Sequence, residues 1–527
     1  MTLALWTLGP TLIAAGRAIV GGDADLAALA PSLGLLARSI GVAAFVAGLA
    51  VLLAIPAAAV WSGAWGGVGR RRWLAAIAPG IVLAPVLLPG YIAYAGLNVI
   101  RGPGMWLGDW LGRIGSEGVT WAPVLAGRSL AVLGLALWAW PIAALVLGSA
   151  ARSVGPGPHE ALRLESRGPR RWVALASMHR GALLASFGLL LVVALGSAVP
   201  LHVAQVDTYA IRVWLELALA GPDRAWRVLA SSWPMVLLAG AVGLWAAVRA
   251  ERSLGRDEDD LAGRAPPRPR ALWGGIAMGV LSLGVPIALL IWAVRDPAAW
   301  GRFWPAEGGA VRASVETGAI LAVFGAGLTL LSMAACGGGR GSGLWRAVAV
   351  GLAVGLAATP GVILGAGAVE VLAWTRAAGV EVPRAVERGP WIVVVAHAAR
   401  FAFLPVLAGV WLAAAEPRAL VDLRRLDGAS GVRGIRGWCR AAAWPVLGPV
   451  LGVGVLMGVL SAHEVEAAVI VSPPGRDALA RRMLDALHFA RLDDLSVAAV
   501  WMVGLTAAPL LLAGALAMLG AGRRRFR

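Results

Sequence analysis

The sequence predicts an all-α polytopic membrane protein with about 12 transmembrane helices, arranged as two parallel six-helix repeats. Three observations support this fold class. The 527-residue chain is 59% hydrophobic and has a mean hydropathy of +0.77. Its arginines concentrate in every second segment between apolar runs, and segments of its first half resemble segments of its second half. This composition does not fit a soluble globular protein.

Twelve apolar runs are long enough to cross a bilayer as helices, for which about 18 residues or more are needed. The abundant glycine and proline do not argue against helices, since both are frequent in membrane spans. The first run lacks a basic start and a clear cleavage site, so we expect a helix and not a signal peptide. The runs cover residues 3–20, 39–61, 73–98, 122–148, 181–200, 232–248, 272–294, 314–335, 347–372, 391–413, 442–462 and 498–519.

The basic residues exclude several chemistries, because all 46 of them are arginine. A nucleotide-binding loop of the G-x-x-x-x-G-K-[ST] type needs its lysine, and Schiff-base catalysis needs one too. Cys336 and Cys439 lie far apart, and the six histidines have no metal-ligand spacing. We therefore expect no catalytic residue, no metal site and no bound cofactor in this chain.

The distribution of charge predicts the orientation of the chain. With a cytoplasmic N-terminus, the cytoplasmic segments are 63–72, 149–180, 249–271, 336–346, 414–441 and 520–527. They hold 27 arginines and 10 acidic residues, which accounts for the whole net charge of +17. Arginine-rich short loops mark the cytoplasmic side. The charge therefore indicates a multi-pass protein of the inner membrane with both termini cytoplasmic, and not a nucleic-acid-binding protein.

Internal similarity divides the chain into two halves. The segment that begins at Arg38 resembles the one at Ala313, and the segment at Gly196 follows the plan of the one at Ser461. We predict a permease-like first half at 1–248, a charged, proline-rich cytoplasmic linker at 249–271, and a second half at 272–527. Because six spans is an even number, both halves have the same orientation.

Two polar stretches stand at equivalent places in the longest cytoplasmic loops. They read EALRLES from Glu160 and DLRRLDGAS from Asp422. Leu423 and Leu426 share one face of a short helix whose other faces are charged, and Ala161 and Leu164 do the same in the first stretch. A small apolar ridge on a charged helix suits docking to a cytosolic partner, although a solvated loop is the plain alternative.

The two stretches resemble the EAA loop of type I ABC importer permeases, whose pattern is E-A-A, three residues, then G-A. The first loop departs from it, since Met178 and His179 stand where Leu-Pro is expected, and the second is about four residues longer than usual before Pro445. The resemblance implies the type I ABC permease fold and two coupling helices that seat in a cytosolic ATPase dimer, which binds the ATP. The implied ATPase-coupling residues are Glu160, Ala161, Leu162, Ser166, Asp422, Leu423, Leu426, Gly428 and Ala429.

The segment from Val469 to Val500 is similar to the end of fused-half permeases of the ferric-iron and thiamine group. Those proteins typically show P-P-G, a leucine-arginine segment, a His or Tyr, and a paired acid before the last helix. The resemblance implies ferric iron as the best substrate guess, with thiamine, a polyamine or a phosphonate as alternatives, delivered by a periplasmic solute-binding protein. The matching residues are Pro473, Pro474, Gly475, Leu479, Arg482, His488, Asp493 and Asp494.

Ionisable residues in or beside apolar runs are candidates for the substrate path, because such groups are costly in a membrane. His397 and Arg400 lie three apart and share a helix face, while a backbone carbonyl is the plain partner for the arginine. Two further groups follow the fifth and eleventh runs and predict an outward-facing vestibule, with structural pairing as the alternative. The candidates are His202, Asp207, Tyr209, Glu216, His397, Arg400, His463, Glu464, Glu466 and His488.

Together these features predict the membrane-embedded permease subunit of an ABC importer, a transport subunit and not an enzyme. Its expected partners are a cytosolic ABC ATPase dimer, a periplasmic binding protein and membrane lipid. A secondary transporter without an ATPase is the alternative, and a membrane-embedded lipid-modifying enzyme is a further one.

Overall fold

The computed structural model describes residues 7–10, 12–13, 26–63, 80–102, 104–153, 156–197, 199–219, 232–253, 269–336, 342–415 and 431–522. These residues are almost all helical, and no strand occurs among them. A helix satisfies its backbone hydrogen bonds within one segment, which is what an apolar chain in a bilayer requires. The all-α fold class is therefore confirmed.

Six helices are long and apolar enough to cross a membrane, and there are ten spans if each of four bent helix pairs counts as one. This makes the chain a multi-pass membrane protein by length and composition, and the ten spans fall on ten of the predicted runs. The run 232–248 has an apolar helix of shorter length, Trp233–Trp245. The run 3–20 lies mostly outside the described residues, so the predicted total of twelve stays a prediction.

The N-terminal half contains ten helices among its described residues, together with two short 3₁₀ turns, Ala84–Leu87 and Val99–Arg101. Their bounds are α1 Leu26–Gly63, α2 Gly90–Asn98, α3 Trp106–Ser116, α4 Trp121–Ser153, α5 Pro156–Glu165, α6 Pro169–Met178, α7 Arg180–Leu195, α8 Val199–Val203, α9 Tyr209–Leu219 and α10 Trp233–Ser253.

The C-terminal half contains twelve described helices, and a π-helical turn, Val280–Gly284, joins its first two. Their bounds are α11 Pro269–Gly279, α12 Val285–Ala293, α13 Ala299–Cys336, α14 Ser342–Ala358, α15 Gly361–Ala377, α16 Arg384–Glu387, α17 Trp391–Phe401, α18 Phe403–Ala415, α19 Gly431–His463, α20 Glu466–Val471, α21 Leu479–His488 and α22 Leu492–Gly522.

The first helices of the two halves are exchanged. The helices α11 and α12, which open the C-terminal half, pack on α1 and α2 of the N-terminal half. Trp140 of α4 donates a buried 2.7 Å hydrogen bond to Ser282 in the turn between them. In the other direction, Leu8 packs against Leu356, Leu364 and Ala399 of the C-terminal half. The first segment of each half therefore packs against the other half.

One helix in each half breaks at a Pro-Gly pair. The helix before Pro89 bends by 82° into the one that begins at Gly90, and α14 bends by 104° into α15 at Pro360. The two prolines have nearly the same backbone angles, with φ of −55° and −53°. Proline has no N–H to donate, so a helix readily restarts there with proline just before its first turn.

The exchanged segments pack across the helices that follow these breaks, and they meet them at equivalent glycines, seven residues after each proline. The sequences after the breaks are PGYIAYAG, which ends at Gly96, and PGVILGAG, which ends at Gly367. A Cβ atom at Gly96 would lie 2.5 Å from the carbonyl oxygen of Pro286 in α12. A Cβ atom at Gly367 would overlap the carbonyl oxygen of Thr7. Only glycine lets the two backbones approach this closely.

Small residues also bring the long spans together. Ala43, Ala47 and Ala50 of α1 are fully buried, as are alanines of the neighbouring α4. In the other half, α13 meets α19 at Gly318 and Gly458, where a Cβ atom on Gly318 would lie 3.0 Å from the facing carbonyl oxygen. Lipid provides no hydrophobic drive between helices, so this close contact of small residues supplies the packing attraction.

Candidate functional site

The break at Pro360 presents two helix ends to the protein interior. Helix α14 ends at Ala358 with carbonyl oxygens that have no partner in a following turn, and α15 begins at Gly361 with free N–H groups. The first end carries a partial negative charge and the second a partial positive charge. Charged side chains of the C-terminal half lie at both ends.

Arg400 of α17 lies at the negative end. Its Nη1 donates hydrogen bonds to the carbonyl oxygens of Thr359 and, at 3.4 Å, of Ala357. The side chain is only 13% exposed. A guanidinium group at a helix C-terminus satisfies orphan carbonyls and is stabilised by the helix dipole. The carbonyl partner that the sequence left as the plain alternative for Arg400 is therefore present.

Two carboxylates complete the cluster. Glu464 Oε2 lies 4.0 Å from Arg400 Nε, and Glu466 Oε2 lies 3.8 Å from Arg400 Nη2. Glu464 Oε1 accepts a 3.1 Å hydrogen bond from the backbone of Ala467 at the start of α20. A Cβ atom on Gly361 would lie 2.6 Å from the same oxygen, so glycine gives the carboxylate access to the start of α15.

His397 extends the cluster by one turn of α17. Its Nδ1 lies 2.8 Å from Ser461 Oγ of α19, and both side chains are buried. The prediction that His397 and Arg400 share a helix face is consistent with this geometry, since both contact the α19–α20 segment. Which of the two atoms donates depends on the tautomer of the imidazole.

The cluster also touches the N-terminal half. A Cβ atom on Gly196, at the end of α7, would lie 3.6 Å from both Nη1 and Nη2 of Arg400. The charged groups therefore lie where α7 of one half meets α14, α17 and α20 of the other. Glu464 and Glu466 are 9% and 7% exposed, so they are buried and do not line an open vestibule in this conformation.

The energetics of the cluster favour a functional role over a stabilising one. Buried ion pairs contribute little net stability, because the loss of hydration offsets the attraction between the charges. Arg400 faces two carboxylates, and its distances to them exceed those of direct hydrogen bonds. Chemically, such a set can exchange partners with a charged solute or a proton.

The outer candidates form a second group, in which the structure brings the two halves together. The rings of His202 in α8 and His488 in α21 lie 5.4 Å apart, and Trp214 packs edge-on against His202 at 5.6 Å. Burial and the charge of His488 lower the pKa of His202, while Asp207 acts in the opposite direction. This pairing across 286 residues was not predicted, although both histidines were candidates.

The other outer candidates have local roles. Glu216 pairs with Arg212 at 2.6 Å on the exposed face of α9. The backbone N–H of Tyr209 donates to Ser39 Oγ of α1 at 2.8 Å. Burial, with Glu216 nearby, raises the pKa of the Tyr209 hydroxyl to about 12. His463 ends α19 close to the backbone of Val86 in the other half. None of these three candidates lies in the Arg400 cluster.

The residues that resemble the permease C-terminal motif make structural contacts. Gly475 has a φ of +81°, which a glycine adopts without strain. The backbone of Leu479 donates to Ser314 at 2.9 Å, and Arg482 lies 3.5 Å from Glu307. Asp493 accepts a 2.7 Å hydrogen bond from the backbone of Arg295. These contacts connect α21 to α13, and α22 to the segment that follows α12.

Of the coupling candidates, Glu160, Ala161 and Leu162 fall in α5, and Ser166 follows it. Ser166 Oγ donates to the carbonyl oxygen of Leu162 at 2.7 Å. Leu164 in the same helix is 85% exposed. The second stretch, with Asp422, Leu423, Leu426, Gly428 and Ala429, lies outside the described residues.

Sequence reasoning missed the backbone part of the site. Thr359, Gly361 and Gly196 were not singled out, and neither was Ser461 as a partner of His397. The repeated Pro-Gly pair, with glycine again seven residues after the proline, was the available signal. No group of three or more metal-ligating side chains occurs among the described residues. Comparison with family models, curated proteins and solved structures finds no match for this chain.

Proposed function

We propose that this chain is the membrane-spanning permease subunit of an ATP-binding-cassette importer, with both transmembrane halves on one polypeptide. A cytosolic ATPase dimer would drive alternating access, and a periplasmic binding protein would deliver the solute. Ferric iron stays the best guess for that solute, as the C-terminal resemblance implies. The chain itself breaks no bond in the solute.

The observation that carries the proposal is the segment between α4 and α7. There the chain forms two short helices, α5 and α6, and α6 is bent by 74° from the following α7. Leu164 of α5 is 85% exposed amid charged neighbours. An exposed apolar residue on a short helix that lies off the spans is what a motor protein needs for docking.

The exchange of first helices supports a mechanism in which the two halves move relative to each other. Each half holds the beginning of the other at a glycine seven residues after a Pro-Gly break, so a displacement at one half is transmitted to its partner. Broken helices beside a buried charged site are a recurring plan in solute carriers, because helix ends provide polar groups within an apolar region. The Arg400 cluster is then the candidate gate on the path.

Co-purification with the ATPase encoded beside this chain tests the proposal. We expect Leu164→Asp to reduce ATPase retention at least tenfold, because it places a charge on the docking ridge. Leu219→Asp is the matched control, since Leu219 is 86% exposed on a short helix on the predicted periplasmic side. Glu160→Arg and Gly428→Asp extend the test to both polar stretches. Equal retention in Leu164→Asp and Leu219→Asp would contradict the docking role.

A secondary transporter is the second candidate, and the Arg400 cluster is what favours it. Two carboxylates against one guanidinium, buried at a helix break, resemble the proton relays of ion-driven carriers. This candidate requires transport by the chain alone, driven by an ion gradient. Glu464→Gln would abolish that transport, whereas an ATPase-driven importer would still hydrolyse ATP with this variant.

A further inference from the structure

Helix α6 presents an unusual face to the outside of the protein. Trp172 and Val173 are 65% and 70% exposed, while Leu175 and Met178 point toward the protein and are partly buried. On a helix with 3.6 residues per turn, Trp172 and Val173 share one face with Ala176. The outer face of this short helix is therefore apolar.

Basic residues border this face. Arg170 lies at its edge and is exposed, and Arg167, which precedes the helix, is exposed too, whereas Arg171 lies on the opposite, partly buried side with Leu175 and Met178. No acidic residue occurs in α6 itself. Gly168, with a φ of +61°, makes the turn that separates α6 from α5, where Glu160 and Glu165 are found. The two neighbouring helices thus differ in charge.

The direction of α6 fits a membrane surface. The helix is bent by 74° from α7, which belongs to a candidate span, so α6 runs close to the plane of the membrane if α7 crosses it. Arginines with an exposed tryptophan are typical of helices that lie in the headgroup layer. The net positive charge of this cytoplasmic-side segment is complementary to anionic lipid, which is concentrated in that leaflet.

We propose that α6 lies in the lipid headgroup layer and binds anionic phospholipid, with Trp172 and Val173 inserted between the lipids. Arg167 and Arg170 contact the phosphate groups. This site needs no ATPase and goes beyond the proposed function. Because α6 connects α5 to α7, the lipid fixes the height at which α5 is presented to the cytosol. Lipid composition would then modulate any partner that docks on α5.

Spin labels on α6 and α5 test the proposal in the full-length chain. Val173→Cys and Leu164→Cys are labelled separately in a Cys336→Ala, Cys439→Ala background, and each is placed in nanodiscs of phosphatidylcholine with or without phosphatidylglycerol. Accessibility to oxygen reports lipid, and accessibility to a water-soluble nickel complex reports water. With phosphatidylglycerol, we expect the label at 173 to be in lipid and the label at 164 to be in water.

Substitution of the arginines tests the proposal quantitatively. Each arginine near an anionic surface contributes about 1 kcal/mol, a factor of about five, so Arg167→Gln with Arg170→Gln should shift α6 toward water about thirtyfold. Arg113→Gln, an exposed arginine on α3, is the control and should change nothing. Size-exclusion profiles and the label at 164 report whether each variant is folded.

Three results would overturn the proposal. A label at 173 that stays in water in both kinds of nanodisc excludes insertion. A label in lipid regardless of phosphatidylglycerol and of the arginines excludes headgroup recognition. Finally, a label that becomes immobilised only when the ATPase is added assigns the face to the protein partner. The first two results leave the ATPase proposal untouched, because docking on α5 is measured separately.

Discussion

The two Pro-Gly breaks have the same backbone and different surroundings. At Pro89 and Pro360 the proline angles agree within a few degrees, and an exchanged helix crosses seven residues later in both halves. A Cβ atom on Gly90 would face Trp138 and Leu135, at 3.4 and 3.5 Å. A Cβ atom on Gly361 would face Glu464 and Glu466. One break is therefore packed by apolar side chains and the other by carboxylates.

This difference in surroundings shows that the helix break and the charged side chains have separate roles. The first break forms and packs without any ionised side chain next to its glycine, so a break of this kind does not require Arg400, Glu464 or Glu466. Because buried charges are costly, their presence next to Gly361 and not next to Gly90 calls for a role other than shaping the helix. We attribute that role to gating of the solute path.

The largest effect is expected from Arg400→Leu. Removing the guanidinium leaves two buried carboxylates without their cation, which costs about 3–5 kcal/mol of unfolding free energy. Unfolding of the purified chain by denaturing detergent in mixed micelles measures it. Arg101 is the comparison in the first half, because it donates to neutral acceptors, Asn98 Oδ1 and the carbonyl oxygen of Pro123. Arg101→Leu should cost less, about 2 kcal/mol.

Neutralising the whole cluster sharpens the same comparison. The triple variant Arg400→Leu, Glu464→Gln, Glu466→Gln should recover most of the stability, since no unpaired charge remains. It should not recover transport. If the triple variant transports normally, the charges serve only the fold and the distinction between the two breaks has no functional meaning.

The next effect concerns the crossing glycines, where the two halves should behave alike. Gly96→Ala and Gly367→Ala should each cost about 1–3 kcal/mol, because the added methyl group meets a facing backbone carbonyl. Gly188→Ala and Gly327→Ala are matched controls, since nothing lies within 4 Å of a Cβ atom at either position. These controls should be neutral or slightly stabilising. Thermal unfolding in nanodiscs compares the stability of each variant with that of its control. A loss of stability in only one of the two crossing-glycine variants would contradict the equivalence of the two halves.

A smaller effect is expected where the halves meet at His202 and His488. Burial lowers the pKa of His202 below its ordinary 6.5, so the unfolded chain takes up the proton more readily than the folded chain. This contact is therefore intact above about pH 6.5 and loses stability as the pH falls below that value. Thermal unfolding measured across that range should show the dependence, and His202→Gln should reduce it.

The smallest effect is expected at the surface pair of the first half. Arg212 and Glu216 lie one turn apart on α9 and are 67% and 40% exposed. Replacing Arg212 by Gln should change stability by no more than about 0.5 kcal/mol, because water and salt screen the pair. We expect Arg212→Gln to lower the unfolding free energy far less than Arg400→Leu, because burial, and not charge alone, distinguishes the two sites. A loss of several kcal/mol would contradict this.

The sequence revealed the helices and many of the charged residues, but not how they combine. Ten apolar runs appear as spans because length and hydropathy determine membrane insertion locally. Arg400 and Glu464 were selected as intramembrane charges, yet their meeting depends on how α17 packs against α19 and α20, which no local pattern encodes. His202 and His488 meet for the same reason. The crossing glycines had a sequence signal, the repeated Pro-Gly pair, whose meaning became clear only with the exchanged helices.

The most direct test asks what moves the two halves. Spin labels at Leu219 and Val380, both exposed and on the predicted periplasmic side of opposite halves, report their separation in nanodiscs without any need to know the solute. The account predicts that the distance changes when the ATPase is bound and trapped with ATP and vanadate, and that proton concentration has no such effect on the chain alone. A change driven by pH without the ATPase, and lost in Glu464→Gln, would contradict the importer and assign the chain to ion-driven transport.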